Sequence, residues 1–259
     1  METIRELAKF NHIKYYDDPH LYYIDGEKMT SATTFIGKFK QKFDSEYWSQ
    51  RKADERGITK EEILEEWRIK ALVSTEKGTY FHEYAENYLT NRIFPFPQDS
   101  VNKVLGIVDG NDVKERFDKL VELFDKFYTE SYGKLIPVRA EVVVGDKDIG
   151  ICGMVDQLFF NEKSGKLEIW DWKTNKKIDK KNKWQQFKEP IDHLDVCEFN
   201  TYSLQLSLYK YIIERTTNLR MGDCYIVWLN EVNDTYYPIK CRDYQAEIIL
   251  MLDYKEDDK

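Results

Sequence analysis

The 259-residue chain reads as an α/β (α+β) protein: a mixed central β-sheet flanked by helices, with a helical N-terminal part. Three observations predict this. The first half is dominated by apolar residues at helical spacing, culminating in 112–131, where Val113, Phe117, Leu120, Val121, Phe124 and Phe127 form one stripe. The period then changes, and 136–144, 149–160 and 167–173 are three consecutive β-branched and aromatic runs, parted by turns at 145–148 and 161–166. A helical pattern over 200–214, two more strand runs at 223–230 and 235–240, and a short helix over 243–252 follow.

Ahead of the sheet, residues 13–24 form a tyrosine-rich hairpin ending at the Asp25-Gly26 turn signal. Ser31 is an N-cap for a helix through Phe39, and a second helix runs from Ser45 to Glu55. Thr59 and Glu62 make a capping-box pattern, with Ile63, Leu64 and Trp67 following at helical spacing. A separate helix is expected from Lys77 to Leu89, then an irregular connection over 91–110 that contains Pro95 and Pro97. The expected organisation is an N-terminal hairpin and helical region (1–74), a core (75–252) and a charged tail (253–259).

Charged residues make up 33% of the chain and aromatics 15%, which places it among globular rather than disordered proteins. The net charge of −8 argues against a general nucleic-acid coat but leaves room for a locally basic groove. One such patch stands out: Lys173, Lys176, Lys177, Lys180, Lys181 and Lys183 fall within eleven residues, with Asp179 the only acid among them. Cys152, Cys197, Cys224 and Cys241 have no Cys-x-x-Cys spacing, which disfavours a zinc ribbon, and three of them lie in apolar or strand-like surroundings and read as reduced core residues. No apolar run is long enough for a membrane span, and the expected compartment is a reducing cytoplasm, that of a host if the chain is phage-encoded.

The chemistry concentrates in two strand runs. Side chains on a strand alternate, so Asp171 and Lys173 share a face with Leu167 and Ile169 leading in, while Trp170 and Trp172 point the other way. Asp156 stands among Ile151, Val155, Leu158 and Phe159, company that makes a carboxylate costly unless it is paired or metal-bound. Two carboxylates can hold a hard cation, and a lysine beside them can polarise a water or a phosphate. His82 and Glu86 share a helix face, as do Gln205 and Tyr209. Glu141 pairs with Arg139 or nearby lysines, or lines the site. Tyr80, Phe81, Tyr84 and Tyr88 either stack bases or pack the core, and Tyr84 is the candidate DNA contact among them.

In order, Gly78-Thr79-x-x-His82, Glu141, Gly153-x-x-Asp156, Asp171-x-Lys173 and Gln205-x-x-x-Tyr209 resemble the PD-(D/E)XK nuclease superfamily, and within it the RecB-type exonuclease branch, which includes phage exonucleases and the mitochondrial genome maintenance exonuclease. The resemblance spans roughly residues 75–230. It implies a restriction-endonuclease-like fold and a metal-dependent deoxyribonuclease, an exonuclease working on DNA ends or single strands in recombination, repair or replication. It implies that His82, Asp156, Asp171 and the carbonyl of Trp172 ligate Mg²⁺ or Mn²⁺, and that Lys173 activates water and stabilises charge. Gln205 and Tyr209 become the accessory motif, and Glu141 an outer or second-metal acid. Lys176, Lys177, Lys180 and Lys181 would meet the DNA, with a recombinase or helicase as a possible partner. Relatives with an iron–sulfur cluster place one cysteine before the histidine motif and three after the Gln-x-x-x-Tyr; here none precedes His82, so no cluster is expected. A structure-specific endonuclease, or a silent DNA-binding or partner-docking module of the same fold, is the alternative.

Overall fold

The computed structural model describes residues 2–90, 98–107, 110–131 and 133–255. The N-terminal segment is a helix, α1 (Glu2–Leu7), followed by three strands, β1 (Lys14–Tyr16), β2 (Leu21–Ile24) and β3 (Glu27–Ser31). The hairpin expected over 13–24 thus gains a third strand beyond the Asp25-Gly26 turn, where both residues take positive φ. Ser31 caps α2 (Ala32–Lys38) by accepting from the Thr34 amide at 3.1 Å. Helix α3 (Ser45–Arg56) stops at Gly57, which adopts the left-handed conformation.

One expectation changes at α4. The sequence suggests two helices, yet Lys60–Leu89 is a single helix of 30 residues. Its start is the capping box: Glu62 N–H donates to Thr59 Oγ1 at 3.1 Å and Thr59 N–H to Glu62 Oε2 at 2.7 Å. Nothing between Arg68 and Lys77 is a glycine or proline, so the helix has no reason to stop. Residue 74, where the sequence suggests a boundary, falls inside it. The connection expected over 91–110 contains a helix, α5 (Gln98–Leu105), while 91–97 lie outside the described residues. Helix α6 (Gly110–Ser131) agrees with the apolar stripe.

Among the described residues the sheet has eight strands. β4 (Leu135–Asp146), β5 (Ile151–Asn161) and β6 (Lys166–Lys173) form an antiparallel meander. α7 (Glu198–Thr216) then carries the chain over to β7 (Met221–Trp228), parallel to β6, and β8 (Tyr237–Lys240) closes that edge before α8 (Gln245–Asp253). The observed mixed sheet between helices is the restriction-endonuclease-like arrangement.

β4 pairs with β5 along nearly its whole length, so β3 and β6 must share the other edge of β5. β3 takes residues 151–152 and β6 takes 157–161. From Asp171 onward β6 pairs only with β7. A fork therefore opens between β5 and β6, beside Asp156.

Each face of the sheet is covered. Leu167, Ile169, Val155 and Ile226 pack under α7, with Leu204, Leu208 and Ile212 opposite. Trp170, Trp172, Phe159 and Val227 pack under α4 and α6, against Phe81, Phe124 and Phe127. The alternation along β6 is the one the sequence predicts. Trp172 is 1% exposed, with Phe124, Phe127 and Phe81 edge-on to its ring.

Candidate active site

The fork lets side chains from opposite faces of the sheet meet. His82 arrives from α4 on one face, and Lys173, Tyr202 and Tyr209 lie toward α7 on the other. Asp156 sits between them, 9% exposed, and Oδ2 accepts the backbone N–H of Trp172 at 2.8 Å. That side-chain bond takes the place of a ladder bond where β6 has left β5.

Glu141 lies in register opposite Asp156, between the pairs Ala140–Gln157 and Val142–Val155. Its φ is +46°, a strained conformation for a non-glycine residue, of order 1–3 kcal/mol. Such strain persists only when the surroundings impose it. His82 Nδ1 stands 3.8 Å from Glu141 Oε1 and 3.6 Å from Asp156 Oδ2. One ligand atom from each of these three residues lies within 4.8 Å of the others, the spacing of a metal-binding group. Glu86 is not part of it.

Asp171 is 1% exposed, and its Oδ2 is 2.5 Å from Lys173 Nζ in a buried ion pair. Burial, then the charge of Asp156, pushes the Asp171 carboxyl up to about 6. Burial also raises Asp156, against the pull of His82 and Lys173. Burial works to keep His82 neutral, but Asp156 and Glu141 outweigh it and raise the imidazole to about 9. Burial likewise disfavours the Lys173 ammonium, yet Asp171 and Asp156 hold it protonated well above the usual lysine range.

These shifts describe one cause: three carboxylates crowded in a poorly solvated fork, short of positive charge. A divalent cation suits such a donor set. Its oxygens are hard, Asp156 and Asp171 are buried, and the imidazole broadens the choice toward Mn²⁺.

On the α7 face, Gln205 Nε2 donates to Tyr209 Oη at 2.9 Å, and Tyr209 is buried against the sheet. Gly153 makes this possible. A Cβ there would lie 2.2 Å from Tyr209 Cε1, so only glycine admits the ring. The glycine of the Gly-x-x-Asp motif is thus a seat for the tyrosine of the last motif. Gly78 has no equivalent duty, because a Cβ on it would meet only Thr174 Oγ1, at 3.9 Å.

Two neighbours were not evident from the sequence. The Tyr202 ring lies 4.7 Å from Lys173 Nζ, and its hydroxyl donates to Asn175 Oδ1 at 2.8 Å. Tyr202 precedes Gln205 by three residues and so shares its helix face, which was the available signal.

The remaining candidates divide. Lys176, Lys177, Lys180 and Lys181 are exposed along the loop after β6; Lys177 pairs with Asp179, and Lys180 lies 5.6 Å from the Phe199 ring. A groove of about 920 Å³ begins just beyond Lys173 and is lined by Thr174, Lys176, Lys70, Lys77, Arg116 and Lys119 among others. Tyr84 is half-buried at the α4–α6 interface: its hydroxyl donates to Asp125 at 2.9 Å and its ring packs on Phe124 and Tyr88. The four cysteines are all buried and unpaired. Among the described residues no helix is long and apolar enough to cross a membrane.

Comparison with known proteins bears on this site. A search of the curated proteins finds no match. Among solved structures, the crystal structure of SSO0001 is similar at 11% identity over 73% of this chain and 83% of that one, with a TM-score of 0.26, too low to carry an argument. The family model of the PD-(D/E)XK nuclease superfamily matches residues 59–258, which include every acid of the fork and Lys173. The chain belongs to the PD-(D/E)XK nuclease superfamily.

Proposed function

We propose that the protein is a divalent-metal-dependent deoxyribonuclease of the exonuclease kind, hydrolysing phosphodiester bonds at DNA ends or in single strands. The observation that carries this reading is the fork: His82, Glu141 and Asp156 within ligand distance of one another, beside the buried Asp171–Lys173 pair. His82, Asp156, Asp171 and the Trp172 carbonyl would hold the cation, with Glu141 completing the set or holding a second ion. A bound Mg²⁺ or Mn²⁺ supplies the positive charge that eases formation of hydroxide and the build-up of charge on the phosphate.

The chain's own residues do the rest. In the cation-free site Asp171 and Asp156 hold the Lys173 ammonium charged, so it is placed to orient water and neutralise the phosphate. Asp171 fixes that ammonium and Tyr202 caps it from the other side. Gln205 and Tyr209, bonded to each other and seated on Gly153, form a rigid wall beside the phosphate. Lys176, Lys177, Lys180 and Lys181 offer charge to the backbone of the strand. A role in phage or bacterial recombination, repair or replication, with a recombinase or helicase partner in the cytoplasm, accords with the resemblance to RecB-type exonucleases.

The test is cleavage of end-labelled linear DNA and of circular DNA, each with Mg²⁺, Mn²⁺ or chelator, with Lys173→Ala as control. Loss of linear but not circular substrate, dependent on metal and on Lys173, is expected. Cleavage of circles would establish an endonuclease. No cleavage of either, with metal-independent binding, would establish a silent DNA-binding module.

A further inference from the structure

Trp184 is 96% exposed. The other tryptophans are buried or partly covered, Trp170 and Trp172 almost wholly, and among the described residues Trp184 has no ring partner. The indole does no packing of its own and presents its flat apolar body to water on a lysine-rich loop.

The loop backbone that carries the ring is held in place. Trp184 N–H donates to Asn182 Oδ1 at 3.0 Å, and Asn182 is itself anchored by its N–H to Asp195 Oδ2 at 3.1 Å and its Nδ2 to the Val196 carbonyl at 2.8 Å. On the far side, Val196 N–H donates to the Gln185 carbonyl at 2.9 Å, and Phe187 N–H to that of Leu194 at 2.9 Å. Trp184 therefore projects from a clamped loop, so binding at the indole need not order the backbone beneath it.

The surroundings are basic. A groove of about 410 Å³ beside the indole is lined by Lys177, Lys181, Lys183, Val196 and Glu198, among others. The two acids bordering it are engaged: Asp179 pairs with Lys177, and Glu198 Oε2 accepts the Asp179 amide at 3.2 Å. Lys181 and Lys183 have no ion pair among the described residues. On a chain of net charge −8, this is a local positive patch around one flat aromatic ring.

Resting on the nuclease reading above, we propose that Trp184 is a stacking platform for a base of an unpaired DNA strand, with Lys177, Lys181 and Lys183 taking the flanking phosphates. An aromatic face in a basic groove binds single strands without regard to sequence, because every base has a π-face and paired bases present only their edges. The loop is the same stretch that leaves β6 after Lys173 and returns into α7. A strand held on Trp184 is thus held by the segment that joins the two catalytic elements.

The experiment measures fluorescence anisotropy of labelled oligothymidylate, about 12 nucleotides long, with the full chain in chelator, so that no cleavage intervenes. Trp184→Ala is expected to weaken binding about tenfold and Trp184→Phe to restore most of it. An abasic strand of equal length should bind wild type and Trp184→Ala alike, since only the base meets the indole. Equal affinity of the variant and wild type for oligothymidylate would overturn the proposal. So would an equal loss on the abasic strand, or a loss as large on a blunt-ended duplex. Cleavage by wild type in Mg²⁺ or Mn²⁺ is scored separately, so failure of the stacking site and failure of the nuclease reading are told apart.

Discussion

The backbone N–H of Trp172 donates to the carboxylate of Asp156, 2.8 Å away, where β6 parts from β5. One bond therefore does two things. It satisfies an amide that has lost its strand partner, and it fixes the acid at the mouth of the fork. The Trp172 ring, on the opposite side, is clamped in the aromatic layer under α4 and α6, so the amide cannot drift.

Asp156→Asn and Asp156→Ala are expected to differ in stability but not in activity. Both remove a carboxylate from the cation site and abolish cleavage. Asparagine keeps an acceptor for the Trp172 amide, whereas alanine leaves a buried donor unsatisfied, a cost of about 1–3 kcal/mol. Urea melts of the two variants would show the gap, and equal midpoints would refute the assigned bond.

Lys173→Ala and Asp171→Ala are each expected to lower cleavage by about 10³-fold or more while preserving the circular dichroism spectrum. Both side chains answer mainly to each other, not to the core. Substantial cleavage by either purified variant would sink the site.

Gly153→Ala is expected to destabilise the fold by about 1–3 kcal/mol, because the new Cβ would sit 2.2 Å from the Tyr209 ring. In the double variant with Tyr209→Ala, the added cost of Gly153→Ala should largely vanish. Additive losses in denaturant titrations would mean that the ring and the glycine are not coupled.

Cation affinity is expected to rise with pH. In the cation-free site His82 holds a proton up to about pH 9, and Asp171 titrates near 6. Binding displaces these protons, so affinity falls by up to about tenfold per pH unit below 9 and more steeply below 6. The His82 proton also favours the cation-free fold: that contribution is complete below the ordinary value of 6.5 and disappears as pH rises through about 9. Calorimetric titration with Mn²⁺ near neutral pH, in buffers of different ionisation enthalpy, should report release of about one proton. Release of none would show that His82 is not a ligand.

Much of this was legible in the residues alone. The period-two alternation of β6 put Asp171 and Lys173 on one face and the tryptophans on the other, and the structure keeps that division. The capping box at Thr59, the N-cap at Ser31 and the apolar stripe of α6 are local signals, and local physics honours them. The separate helix expected from Lys77 is instead the continuation of α4, because nothing between Trp67 and Lys77 stops a helix.

What the sequence determined by itself is the inventory: which acids lie on strands, which basic residues follow them, which helices carry His82, Gln205 and Tyr209. Only the tertiary structure decided that β3 and β6 share one edge of β5 and leave a fork between them. It also decided that Glu141 is twisted to φ +46° opposite Asp156, that Tyr84 is committed to α6, and that Trp184 stands free. The reason is the range of the forces involved. Strand alternation and helix caps act within a few residues, whereas a fork, a strained backbone and a ring's exposure depend on which distant segments compete for the same space.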